Sequence, residues 1–430
     1  MMSSTDFSEA YARSLDQSDP LRDFRDRFYI PDETVYMDGN SLGLLSRASE
    51  TALLRVLDEW KTLAIDGWLS ARHPWFHFAE RLGEMASTLV GAEPDEVVAT
   101  GTTTVNIHAL VSTFFRPDAK RNKILADSLN FPTDLYALQG QLKLRGLDPQ
   151  THLVLIPSGD GRILDEQRII ELMTDDVALI FLPSVLYRSG QLLDIPLLTS
   201  EAHKRSIPVG YDCSHSVGAV PHRFDACGVD FALWCSYKYL NSGPGATAFV
   251  YVNRRHFDRE PGLAGWFGYV KEKQFDMLPD FRHQPNAGGW QISSPGILGL
   301  APLEGSIEII QEAGIEAIRA KSQKLTSYLI DLADAELSDP PYAFSVGTPG
   351  DPDKRSGHVA LERDEDAWRI CQALKKRSVV PDFRPPNVIR IAPVALYNTF
   401  HEVWKVVQHL KEIVDNHEYE AFDAERTGIT

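Results

Sequence analysis

Nowhere in this 430-residue chain do two cysteines stand at a C-x-x-C spacing. Its four cysteines, Cys213, Cys227, Cys235 and Cys371, offer neither the usual zinc-ligand pattern nor a disulfide framework, and no metal site is expected. Apolar runs are short: none approaches the ~18–20 residues of a membrane span. Basic residues are in the minority, 43 Lys and Arg against 60 Asp and Glu for a formal net charge of −17. That balance argues against nucleic acid or an anionic membrane as partner. The opening residues M-M-S-S-T-D-F-S-E-A-Y contain acids and no apolar core, so a cytoplasmic location is expected rather than a secretory signal. No G-K-[ST] follows a glycine-rich turn, which excludes a Walker-type nucleotide loop. Internal repeats and low-complexity segments are also missing.

What is present has the composition of an ordinary globular protein, 43% hydrophobic and 24% charged, with length for two or three domains. Residues 1–45 read as a polar arm, expected to pack with the smaller C-terminal domain, leading into a short extended piece that ends at D-G-N-S-L-G (38–43). Helical spacing follows at Leu53, Leu54, Leu57, Trp60 and Ala64, and again at Phe78, Leu82, Met85 and Leu89, with Gly91 as C-cap. Apolar runs at 97–100, 123–127, 152–157, 177–183, 207–212 and 231–236 then read as buried strands. Amphipathic stretches separate most of them, as βαβ crossovers require. The run 246–252 follows after only a tight Gly/Pro turn, so antiparallel pairing is expected there. Residues 260–295 show little periodicity, and long irregular segments are often functional. The expected fold is α/β: a large domain over 46–300 with a mostly parallel sheet flanked by helices, then a smaller α/β domain over 301–430.

Two strand ends stand out. Asp212 closes one apolar run and Lys238 closes the next, each followed by small residues and glycines. In open α/β sheets, ligands sit in the crevice at the carboxyl ends of the strands, so both side chains are expected to face one pocket. A buried amine and a buried carboxylate there are what pyridoxal 5′-phosphate (PLP) requires, one for a Schiff base and one for the pyridine nitrogen. The plainer readings are a surface lysine and a helix cap, since Asp is a favoured N-cap and D-C-S-H could open a helix. His215 could hydrogen-bond the carboxylate or pack against the ring. T-G-T-T-T-V-N (100–106) sets hydroxyls and free amides at a helix start, suited to a phosphate. In F-P-T-D-L-Y, Phe131 could stack on the cofactor ring, with Thr133 and Asp134 beneath it. Arg390 could bind a substrate carboxylate with two parallel hydrogen bonds.

In this order, D-G-N-S-L-G (38–43), N-F-P-T-D-L-Y (130–136), D-C-S-H-S-V-G-A-V-P (212–221), Y-K-Y-L-N-S-G-P-G (237–245), G-W-F-G (265–268) and R-I-A-P-V-A-L-Y-N-T-F-H-E-V-W (390–404) resemble the kynureninase family. These enzymes have the fold-type I PLP-dependent transferase architecture. The resemblance implies that Lys238 holds the cofactor, that Asp212 pairs its pyridine nitrogen with His215 alongside, and that Tyr237, Thr103 and Thr104 contact its phosphate. Phe131, Pro132, Thr133 and Asp134 would form the ring-stacking segment. Trp266 and Ser294 match phosphate ligands that the family takes from a second subunit, which implies a homodimer. Arg390 matches the arginine for the substrate α-carboxylate, and Trp68, Ser41 and Ser293 fall near the aromatic end of the substrate. The implied activity is PLP-dependent hydrolysis of L-kynurenine, or 3-hydroxy-L-kynurenine, in tryptophan breakdown. One departure is Pro183, where the family usually has Ser or Thr; Ser184 is the neighbouring hydroxyl. A cysteine desulfurase, an aminotransferase and a non-catalytic protein of the same fold remain as alternatives.

Overall fold

A computed structural model describes residues 7–425. The first six residues, part of the segment read above as carrying no signal, lie outside the described residues. A seven-stranded sheet organises the larger part of the chain. In spatial order its strands are Val97–Ala99, Phe249–Val252, Phe231–Trp234, Val209–Asp212, Val177–Pro183, Lys123–Asp127 and Leu153–Ile156. Only Phe249–Val252 runs antiparallel to its two neighbours; the other pairings are parallel. Its link from Trp234 contains no helix, which an antiparallel partner permits and a parallel one does not. Helices Thr103–Phe114, Pro132–Leu144 and Ile195–Lys204 fill the parallel crossovers. The central strands are apolar along their whole length because both faces are covered: every residue of Val177–Pro183 is buried.

Strand order changes direction around Lys123–Asp127, which pairs with Leu153–Ile156 on one side and Val177–Pro183 on the other. Such a switch point opens a crevice at the carboxyl ends of the strands. A second sheet, entirely antiparallel, orders Asp382–Arg384, Val388–Ile391, Val359–Glu362 and Ser345–Val346. Helices Ile315–Glu336, Ala367–Lys376 and Phe400–Asp415 pack with it around a separate apolar core. Thr399 and Glu402 form a reciprocal capping box on the last of these helices.

Two segments differ from expectation. The polar arm contains a helix, Glu9–Gln17. Few apolar residues mark it, because its order comes from docking: Asp16 accepts from the Phe400 and His401 amides at 2.6 and 3.1 Å. A helix this short needs tertiary support. The residues after Asp212 form turns, not a helix, because the Asp212 carboxylate folds the chain back locally by accepting from the Ser214 amide at 2.8 Å. No helix among the described residues is long and apolar enough to cross a membrane.

Candidate active site

Five strand ends converge on one cavity of about 330 Å³. Thr103 and Thr104 follow Ala99; Phe131, Thr133 and Asp134 follow Asp127; Pro183 ends its strand; Asp212 and His215, then Tyr237 and Lys238, follow the next two. Lys238 Nζ lies 3.0 Å from His215 Nε2. Burial first, then the Lys238 charge, hold His215 well below the ordinary imidazole range, so it is neutral. It therefore accepts from the lysine and does not bond the Asp212 carboxylate.

Asp212 faces a second buried carboxyl, Asp134. Two such groups in one desolvated place cannot both ionise cheaply. Burial, and next the Asp212 charge, push Asp134 well above the usual carboxylate range. Burial also raises Asp212, but Lys238 and the Ser214 hydrogen bonds favour its charged form. The pair thus holds one proton, on Asp134, and Asp212 is the anion. Further back, burial pushes Asp127 up to about 7.

At one end of the cavity, Thr104 and Thr133 hydroxyls lie 2.7 Å apart, and the Tyr237 hydroxyl faces Thr103. Thr102, the cap of helix Thr103–Phe114, makes no side-chain capping bond, so the first amides of that helix face the cavity end unsatisfied by a cap. At the other end stands Arg390, fully buried. It donates to the Tyr187 carbonyl at 2.6 Å, to Ser41 Oγ at 3.2 Å and to the Asp382 carboxylate. Burial draws its pKa down to about 10, leaving it a cation at neutral pH. Arg384 shares Asp382 at 2.9 Å and borders the same cavity. Ser41 therefore sits at the arginine end and not beside Trp68, whose ring packs on Trp75 and Phe267.

Pro183 and Val185 border the cavity, and Ser184 between them does not. Side chains alternate along a strand, so the Ser184 hydroxyl points away, bonding the Asp212 carbonyl at 3.1 Å and Ser216 at 2.8 Å. Ser216 in turn meets His222 at 2.8 Å. The hydroxyl at 184 thus braces the Asp212 strand end and leaves the wall at 183 as hydrocarbon.

Not every expected residue joins this cavity. Pro132 occupies the first turn of its helix and, like Trp68, Trp266, Ser293 and Ser294, is absent from the lining; Phe131 does line the cavity, edge-on to Tyr187 with centroids 5.3 Å apart. Trp266 is 43% exposed, and both serines are exposed. Conversely, Asn40, Tyr187 and Arg384 line the cavity, and Asp382 supports it, without having been singled out. For Asn40 a signal existed, since it lies inside D-G-N-S-L-G.

PLP fits this arrangement. A lysine amine, a carboxylate kept anionic, and an open helix start ringed by hydroxyls surround one small-molecule-sized cavity. Residues 53–341 match the class-V aminotransferase family, and residues 318–410 match the kynureninase C-terminal domain. The chain is 57% identical to a kynureninase of Geobacillus thermodenitrificans over 97% of each chain. It is 54% identical to one of Shouchella clausii over 98% of each. Among solved structures, a cysteine desulfurase of Thermococcus onnurineus superposes with a TM-score of 0.77 at 18% identity, covering 92% of this chain and 98% of that one. One of Escherichia coli gives 0.76 at 17%, with the same coverage. At such identities those two likenesses speak for the fold alone. With cofactor pocket, fold and whole-length relatives in agreement, the chain belongs to the kynureninase family of PLP-dependent hydrolases.

Proposed function

We infer that the chain hydrolyses the Cβ–Cγ bond of L-kynurenine to anthranilate and L-alanine, and that it uses 3-hydroxy-L-kynurenine less well. The observation behind this reading is that Lys238 and Asp212 border one cavity that ends at a buried arginine, in a chain of this family. A desulfurase needs a nucleophilic cysteine at the cofactor. No cysteine borders this cavity, and burial pushes the Cys213 thiol up to about 12.

When bound, PLP supplies a carbonyl that condenses with amines and a ring that takes up the electron pair of a carbanion. Lys238 would hold the cofactor and, as a free amine, would remove and return the proton at the substrate α-carbon. His215, neutral and 3.0 Å away, steadies that amine. Asp212 keeps the pyridine nitrogen protonated, and Asp134, as a neutral acid, donates to Asp212. Thr103, Thr104 and the helix amides bind phosphate. Tyr237 contacts the phosphate and is placed to relay a proton during bond cleavage. Arg390 binds the α-carboxylate.

Trp266 and Ser294, outside this chain's own cavity, act on the phosphate of a second copy in a homodimer. In support, the irregular segment holding Trp266 also exposes Phe275, Met277 and Leu278, an apolar surface of the kind that marks interfaces. Trp68 and Ser293, which also lie outside this chain's own cavity, are assigned to the aromatic end of the substrate, where an indole leaves little room to pair a ring hydroxyl.

Steady-state assays on both substrates test the reaction: fluorescent anthranilate is released, with kcat/KM higher for kynurenine by about tenfold, the effect of roughly 1.4 kcal/mol. Absence of anthranilate ends the reading, and a preference for the hydroxylated substrate ends the specificity part. Mixing Lys238→Ala and Trp266→Ala subunits tests the shared site. Half the dimers are then mixed and each has one intact site of two, so about one quarter of wild-type activity returns. No recovery beyond the sum of the parents means Trp266 serves its own chain.

A further inference from the structure

One polar side chain in the cavity wall has nothing to bond. Asn40 is fully buried, borders the cavity beside Ser41, and has no hydrogen-bond partner for Oδ1 or Nδ2 among the described residues. A buried amide in that state forfeits the hydrogen bonds it had in water. Its loop cannot swing aside. The Ala392 amide donates to the Met37 carbonyl at 2.8 Å on one flank, and the Gly43 amide donates to the Tyr237 carbonyl at 2.7 Å on the other. Packing is equally close: a Cβ at Gly39 would strike Val394 and Tyr397, and one at Gly43 would strike Asn241 and the Lys238 carbonyl. The loop is held so that Asn40 stays in the cavity wall with both amide atoms unpaired.

We propose that Asn40 contacts the substrate during hydrolysis: Nδ2 donates to the γ-carbonyl oxygen of the aryl ketone, and Oδ1 accepts from the water that adds to the γ-carbon. This rests on the reaction assigned above. The choice of ketone over α-carboxylate follows from matching donors to acceptors. A carboxylate only accepts, and the unpartnered Nε–H groups of Arg390 and Arg384 already supply donors for it. Against a carboxylate, Oδ1 of Asn40 stays unmatched; a ketone and its water use both atoms. In the net step one water adds across C=O. Its oxygen bonds the γ-carbon, the π pair moves to the carbonyl oxygen, and one water proton ends there, giving a gem-diol. Asn40 exchanges no proton. It orients the water and stabilises the oxygen on which charge develops.

The test uses PLP-loaded, full-length Asn40→Ala and Asn40→Asp with two readouts: kynurenine hydrolysis, and exchange of the L-alanine α-proton with D2O followed by NMR. L-Alanine has the α-amine and α-carboxylate but no γ-carbonyl. In Asn40→Ala, kcat for hydrolysis falls about 10²-fold, as for loss of one oxyanion donor, while KM and the exchange rate stay within about threefold. Asn40→Asp, isosteric but without the donor, falls as far. Equal loss of hydrolysis and exchange overturns the proposal, since it places Asn40 at the carboxylate end or in the fold; so does undiminished hydrolysis. A wild type that exchanges alanine yet leaves kynurenine intact removes the reaction reading instead.

Discussion

Alanine at position 238 lowers kcat for kynurenine by about 10⁴-fold or more, the loss expected when a positioned proton-transfer group is removed together with the covalent hold on the cofactor. No neighbour can stand in. His215 is the base within hydrogen-bond reach of Lys238 Nζ, and burial keeps it neutral and far less basic than usual. Pre-steady-state and steady-state assays of Lys238→Ala check the rate. Borohydride reduction of the wild type, followed by peptide mapping, checks the attachment and places the label on Lys238. A label on another lysine, or a variant within tenfold of wild type, removes Lys238 from its role.

The second large effect separates two carboxyls that look alike in sequence. Asp212→Asn costs about 10²–10³-fold in kcat, because an opposite charge at close range is worth up to ~3 pKa units at 1.36 kcal/mol each. Asp134→Asn, by contrast, stays within about threefold, since an amide is close in shape to a neutral acid and both can donate a hydrogen bond. The direction follows from the site: the Asp212 charge pushes Asp134 toward its protonated form, while Lys238 and Ser214 hold Asp212 ionised. Kinetics of the two variants, with cofactor absorbance to verify loading, decide it. If Asp134→Asn proves the more damaging, the proton sits on the other residue.

Lys238 and Asp212 could be found from the sequence because each ends an apolar run, and strand ends in this architecture meet at one crevice. The antiparallel Phe249–Val252 was readable from the short turn before it. What sequence could not show depends on contacts between distant segments. Asp382 bonds Arg390 and Ser41, and nothing along the chain announces that these three side chains meet. The orientation of Ser184 turns on strand parity: with Pro183 facing the cavity, its neighbour must face away. Helix Glu9–Gln17 is capped locally by Ser8, but it is hidden in the sequence for the same reason: the Phe400 and His401 amides that dock it lie 384 and 385 residues away.

The loop at 38–43 has a geometric consequence. One flank is stitched to the segment holding the amine and the other to the strand of the buried arginine, so it works as a gauge fixing the separation of the two ends of the pocket. Lengthening it by one residue would alter which amino-acid backbones span that gap, and so change the size of molecule admitted before it changed how tightly any of them bound.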